Sequence, residues 1–504
     1  MVSQTYDFVV VANRLPVDRV GTAQDGSPQY ETSPGGLVTA LAPVMTARHG
    51  AWVGWPGAPG EAGEAFDSGG MHLVPVGLSH EDVADYYEGM SNGTLWPLFH
   101  DVIAAPQYHR RWWDAYVRVN QRFADAAAAQ AAPGATVWVQ DYQLLLVPAR
   151  LREQRPDLRI GFFNHIPFPG YEIFSQLPWR RQVVEGVLGA DLVGFQRRSD
   201  ASNFLRACRR AGDVTTRGGT IAVSPGTGID PATGKGTGAG PGEGTGAGPG
   251  TQSGPSGRRV ARAGAFPISI DSRAFEELAA SPAVRARAQQ IRSELGDPDT
   301  VLLGVDRLDY TKGIRHRLTV FAELLADGRL EAGSTVLVQV ASPSRERVQA
   351  YSTLRDEVEL TVGRINGDHG SVGSQPVHYL HQSFPREEMA ALYLAADVML
   401  ITALRDGMNL VAKEYVAARH DSDGVLVLSE FAGAADELTQ ALLINPHDID
   451  GTKAAVMKAA SMPVEERRRR MRTLRRRVRE HDVARWATGF LDALAGSAEQ
   501  LDAR

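Results

Sequence analysis

Nine short runs rich in Val, Ile, Leu and Phe recur along the chain, each continuous rather than alternating and each bounded by polar, Gly or Pro residues. In the first half they are Phe8–Ala12, Thr136–Val139, Arg159–Phe163 and Leu192–Phe195; in the second, Val301–Val305, Thr335–Val340, Val377–Leu380, Val398–Thr402 and Val425–Ser429. A strand that is apolar on every residue is covered on both faces, which is the state of a parallel strand flanked by helices. Longer stretches with helical periodicity, Tyr108–Ala129, Leu144–Glu153, Ile314–Ala326 and Arg386–Ala396, separate the runs. Strand–helix alternation of this kind predicts an α/β chain built from two doubly wound units. The 504 residues suit that reading, since domains average ~150 residues.

Composition removes several function classes. With 53 Lys+Arg against 59 Asp+Glu the formal net charge is -6, so no overall basic field draws the chain to nucleic acid or an anionic membrane. A single cysteine, Cys208, supports neither an intramolecular disulfide nor a cysteine zinc cage. No run approaches the ~18 apolar residues of a membrane helix, and the opening MVSQTYDFVVVANR lacks the charged, apolar and small-residue regions of a signal peptide. The expectation is a cytoplasmic protein without membrane or nucleic-acid partners. Residues Gly234–Gly257 read GKGTGAGPGEGTGAGPGTQSGPSG, too poor in apolar groups to offset ordering entropy, and an insertion over about 217–260 is expected as a flexible surface loop. The basic block Arg467–Glu480 places Met471, Leu474 and Val478 at helical spacing, which predicts a helix with one buried stripe and a solvated arginine face.

Candidate chemistry clusters where strands end, the ligand-binding edge of open α/β sheets. The first strand runs into Asn13-Arg14-Leu15-Pro16, and Ser33-Pro34-Gly35-Gly36-Leu37 follows. Arg14 can fork two hydrogen bonds onto a phosphate, and Gly35-Gly36 at a helix start allow backbone N–H groups to approach an anion. The stretch Tyr86 to Pro97 (YYEGMSNGTLWP) suits either a sugar site or a core aromatic cluster. Asp141 and His165 each follow a strand. In the second half Arg307 and Lys312, in VDRLDYTKG, form a two-cation clamp for a diphosphate, and Arg345 in SPSR is another strand-end arginine. In RDGMNLVAKE, Asp406, Gly407 and a helix start coincide; the amides of Met408, Asn409 and Leu410 can face a phosphate, and Glu414 can reach ribose hydroxyls.

In order and spacing, NRLP, SPGGL, YYEGMSNGTLWP, QDYQLLLVP, GFFNHIPFP, DRLDYTKG, SPSRERVQAY, GRING and RDGMNLVAKEYVA resemble the α,α-trehalose-6-phosphate synthases of glycosyltransferase family 20, over essentially the whole chain outside the Gly-rich insertion. The resemblance implies a GT-B fold: two Rossmann-like domains, 1–266 for the acceptor and 267–480 for the donor, a cleft between them, and a C-terminal helix over 481–504 crossing back to the first. It implies transfer of glucose, with retention, from a nucleotide-activated donor to glucose 6-phosphate. By the same resemblance the acceptor would meet Arg14, Tyr87, Trp96, Asp141 and Arg345. The donor would meet Gly35, Gly36, Phe384, Asp406, Gly407, Met408, Asn409, Leu410, Val411, Ala412, Lys413 and Glu414. Arg307, Lys312, His165 and Asp406 would carry catalysis, with front-face attack in which the leaving phosphate helps to take the acceptor proton. No cofactor or metal is called for; the partners are small-molecule substrates and further copies of the chain, as a dimer or tetramer.

The chain departs from the family pattern at Gln140 and Gln143, where histidines are common, at Gly170-Tyr171 and at Ser269. The rival readings are a relative with another acceptor (a glucosylglycerol-phosphate synthase or pseudo-glycosyltransferase), a non-catalytic sugar-phosphate-binding subunit, and an NAD-dependent dehydrogenase. The last lacks a complete G-x-G-x-x-G after the first strand.

Overall fold

All nine apolar runs are strands, and every one pairs in parallel with a neighbour. The computed structural model describes residues 4–22, 28–32, 36–212, 214–223 and 259–496. They fall into two compact α/β units, one drawn from residues up to 102, 106–266 and those from 487 on, the other from 103–105 and 267–486.

In the first unit β1 (Tyr6–Arg14) is followed by an antiparallel pair, β2 (Val17–Thr22) and β3 (Pro28–Thr32). Then come β4 (Ala51–Trp55), β5 (Phe66–Ser68), β6 (Met71–Pro75), β7 (Ala131–Gln140), β8 (Arg159–Asn164), β9 (Leu192–Phe195), β10 (Val214–Arg217), β11 (Thr220–Val223) and β12 (Arg259–Ala265). All except β2 and β3 form one sheet in the order β10-β11-β12-β9-β8-β7-β1-β4-β6-β5. From β12 to β6 every neighbour is parallel. β1 lies between β4 and β7, so the chain reverses its progress across the sheet there, and the carboxyl ends of β1 and β7 flank a topological switch point.

The expected loop over 217–260 begins too early. Arg217 and Thr220–Val223 belong to a β10–β11 hairpin whose second strand pairs with β12; the low-complexity core of that expectation, 224–258, lies outside the described residues. Short edge strands such as VTTR and TIAV carry too few apolar residues to stand out by periodicity. The stretch expected to be helical from Leu144 starts instead at Val147, with Pro148 in its first turn and a 3-10 turn over Tyr142–Leu144 before it.

Glycines at mid-strand in β8 and β9 have a packing cause. In the helix Val483–Ala495 the Phe490 ring stacks on Trp138 at 4.7 Å and meets Phe163 at 5.7 Å. A Cβ at Gly161 or Gly194 would come within 2.8 or 2.7 Å of that ring, so only glycine lets the sheet face accept it.

The second unit is a single parallel sheet: β13 (Thr300–Arg307), β14 (Thr335–Ser342), β15 (Val377–Leu380), β16 (Val398–Ile401), β17 (Val425–Ser429) and β18 (Leu442–Ile444). Its order β15-β14-β13-β16-β17-β18 is that of a Rossmann sheet, with the switch between β13 and β16. Leu302, Leu318, Phe321, Leu324, Leu337, Val358 and Leu400 fill the layer between sheet and helices. The arginine-rich helix Val464–Glu480 buries Met471, Leu474 and Val478 as its spacing predicts. Much of its basic face is paired, Arg467 with Asp423, Arg470 with Glu466 and Arg479 with Glu276. Among the described residues no helix is long and apolar enough to cross a membrane.

Candidate active site

In the first unit the switch point gathers polar and aromatic side chains. Arg14, at the end of β1, ion-pairs with Asp18 and lies 5.0 Å over the Trp55 ring at the end of β4. Gly57 makes room for it: its φ is +92°, and a Cβ there would sit 2.1 Å from Arg14 Nη2. Tyr87 meets the same Trp55 ring edge-on at 5.5 Å, so Arg14 and Tyr87 share one aromatic support.

Tyr87 lies in a π-helical segment, Val83–Leu95, a conformation that recurs at functional sites. Asn92 Nδ2 donates to the Tyr87 carbonyl and Asn92 Oδ1 accepts from Tyr142 Oη, both at 2.8 Å, while Tyr142 packs 5.6 Å from Trp96. Part of the stretch is core: Tyr86 is fully buried and bonded to Asn13, whereas Tyr87 is only half-buried.

Asp141, at the end of β7, holds a φ of +72°, which is costly for a non-glycine residue. Two bonds fix it there: its N–H donates to the Phe163 carbonyl at 2.7 Å, and its Oδ1 accepts the His165 N–H at 3.0 Å. His165 is gripped through both ring nitrogens, Nε2 by Gln140 Oε1 at 2.9 Å and Nδ1 by Gln196 Nε2 at 3.4 Å. A glutamine oxygen only accepts, so Nε2 carries the hydrogen and Nδ1 receives one. Desolvation holds the ring's pKa down at about 3, and the imidazole is neutral at physiological pH. The folded value lies below the ~6.5 of an unfolded histidine, so between those values the unfolded chain binds the extra proton and stability falls as pH falls. Urea unfolding at pH 7 and pH 4.5 is expected to show a larger acid loss for wild type than for His165→Gln; equal losses would refute the assignment.

Of the glycine pair, Gly36 is the first residue of the helix Gly36–Arg48, while Gly35 lies outside the described residues.

In the second unit the loops after β13 and β16 are knitted together. Gly313, at φ +66°, approaches the Thr402 carbonyl so closely that a Cβ would lie 2.0 Å from it. Leu404 N–H donates to Thr311 O at 2.7 Å and Thr402 Oγ1 to Gly313 O at 3.0 Å. This brings Lys312 Nζ to 2.6 Å from Asp406 Oδ2, an oxygen that also accepts from Asn409 Nδ2 at 3.1 Å. Asn409 caps the helix Leu410–Ala418 by accepting from Ala412 N–H. Beneath them Asp309 is fully buried. Burial would raise its carboxyl, yet the charges of Arg345, Arg307 and Lys312, with the Thr311 N–H bond, hold it below the usual range.

A family model, glycosyltransferase family 20, matches residues 6–496. The chain belongs to glycosyltransferase family 20. A trehalose-6-phosphate synthase from Mycolicibacterium vanbaalenii is 57% identical over 495 residues, 97% of this chain and 96% of that protein. An E. coli structure bound with UDP-2-fluoro glucose aligns with a TM-score of 0.83 at 34% identity, covering 97% of this chain and 99% of that one. A Burkholderia xenovorans α,α-trehalose-phosphate synthase (UDP-forming) in complex with glucose-6-phosphate aligns at 0.82 and 32% identity, covering 97% and 100%. Both Rossmann-like units are those of the GT-B fold expected from sequence.

In this family 20 glycosyltransferase the residues expected at the donor along the helix Leu410–Ala418 differ in their surroundings. The Lys413 ammonium is buried, donating to the Ile268 carbonyl at 2.8 Å and paired with Glu437 at 2.5 Å, so its side chain bonds within the interior. Ala412 N–H is likewise spent on the Asn409 cap. Glu414 accepts from Tyr393 Oη at 2.9 Å, and desolvation raises its carboxyl pKa. Phe384 is half-buried beyond β15, and Arg307 is exposed at the tip of β13. Supports that no motif announced are Trp55 beneath Arg14 and Gln196 behind His165; Gln140 had a signal, being a departure from the family pattern.

Proposed function

We propose that this glycosyltransferase moves glucose from a nucleoside diphosphate to the anomeric hydroxyl of glucose 6-phosphate, giving α,α-trehalose 6-phosphate with the donor configuration retained. The observation that carries the reading is the 57% identity, across 97% of the chain, to a trehalose-6-phosphate synthase. The chain's own residues are compatible with it. The bond from C1 of glucose to the β-phosphate oxygen breaks, the acceptor O1 bonds to C1, and the acceptor proton passes to the departing phosphate. Arg307 and Lys312 stabilise the charge that develops on that phosphate, with Asp406 orienting Lys312 through their 2.6 Å pair. Arg14, Tyr87, Trp96 and Arg345 hold the acceptor phosphate, and Asp141 its hydroxyls. His165, neutral and held through both nitrogens, orients the donor glucose and is not the general base. In this reading the two cations, Arg307 and Lys312, take the charge-neutralising role. A cytoplasmic location and self-association complete the reading.

The test is incubation of the purified protein with UDP-, ADP- and GDP-glucose and glucose 6-phosphate, with NMR of the product. An α,α-linked disaccharide phosphate is expected from at least one donor. Transfer only to another acceptor, or no transfer, would overturn the reading.

A further inference from the structure

The geometry points to Asp309 as a positioning residue that sets the donor clamp with one carboxylate oxygen and the acceptor arginine with the other. The inference rests on the proposed reaction. Oδ1 accepts from Thr311 N–H at 3.0 Å and Thr311 Oγ1 at 2.9 Å, capping the single turn Tyr310–Lys312 that places Lys312. Oδ2 accepts from Arg345 Nη1 at 3.1 Å and from Tyr351 Oη at 3.2 Å. Arg345 also bonds to Tyr351 Oη, with its guanidinium 5.5 Å from that ring.

Asp309 and Tyr351 are almost wholly buried and the Arg345 side chain is 6% exposed. Arg345 itself sits at φ +50°, a backbone state that persists only where the surroundings over-determine it. A carboxylate serves here because only it offers two charged acceptors pointing opposite ways. DRLD at the end of β13 and SPSR at the end of β14 lie side by side through register, since Arg307 pairs with Ser342 and Leu308 N–H donates to the Ser342 carbonyl at 2.8 Å.

Asp309→Asn separates the two oxygens. The amide oxygen can keep the two Thr311 donors, while the amide NH2 meets Arg345 and Tyr351, both of which need an acceptor. The KM for glucose 6-phosphate is expected to rise by about ten- to a hundredfold while the donor KM stays within about threefold. The preference for glucose 6-phosphate over glucose narrows by the same factor. In an Arg345→Ala background the substitution adds little further to the acceptor KM. Tyr351→Phe, which removes one hydroxyl, is the second variant should the first fail to fold, with the same selective rise of about threefold or more. Equal rises in both KM values, no rise, or a loss that persists without Arg345 would overturn the positioning role. Failure of wild type to use glucose 6-phosphate would overturn the functional reading instead.

Discussion

Replacing Arg307 by alanine is expected to lower kcat for disaccharide formation by roughly a hundredfold or more, the scale of removing one preorganised charge from a developing anion. Arg307 ends β13 at the switch point of its sheet and is exposed. Asp309, which Arg307 helps to hold ionised, keeps its bonds to Thr311, Arg345 and Tyr351, so the variant is expected to stay folded, which urea unfolding checks. The charge is felt locally, since Arg307 is among the cations holding the Asp309 carboxyl down. Arg307→Lys keeps the charge but loses the planar fork that grips two phosphate oxygens, and it is expected to recover only part of the lost rate. Because the interaction grows as the phosphate departs, the fall belongs in kcat more than in the donor KM. Steady-state kinetics with both substrates varied checks this, and a variant turning over at near-normal rate would remove Arg307 from the chemistry.

The reach of sequence reasoning follows from what each signal encodes. Runs such as VLLGV and VLVLS, covered on both faces, announce buried parallel strands by composition alone, and their Cα partners lie as a doubly wound sheet requires. Residues 217–223 were absorbed into a loop because strands of four residues at a sheet edge, half exposed, carry no such mark. Charged residues in strand-end motifs were legible because polar groups directly after a buried strand have few structural reasons to be there. What held them in place was not legible. Gln196, Trp55 and Tyr351 act through contacts 31, 41 and 6 positions away from His165, Arg14 and Arg345 respectively, and spacing along a chain does not reveal which ring will lie beneath which cation. Lys413 makes the same point: within a motif of candidate site residues its side chain occupies the inward face of its helix, where its charge meets Glu437.

Just behind the donor clamp, Arg317→Met is expected to destabilise the second unit by about 3–5 kcal/mol, because it strands a charge that has no access to water. The Arg317 and Asp306 side chains are 0% and 2% exposed, and their 2.7 Å pair is joined by Gln339 Oε1, also 2.7 Å from Arg317 Nη1. Gly304 leaves the space for this guanidinium, since a Cβ there would come within 2.1 Å of Nη1. Urea unfolding of the variant and of wild type at pH 7 measures the deficit. Adding Asp306→Asn removes the stranded charge, and the double variant is expected to be more stable than Arg317→Met alone at pH 8. A deficit under about 1 kcal/mol would show that the pair does not hold this part of the core. Asp306 directly precedes Arg307, so the Arg317→Met protein that remains folded should also lose kcat, and the double variant should regain part of it. Stability and turnover would then report on the same strand end through two independent measurements.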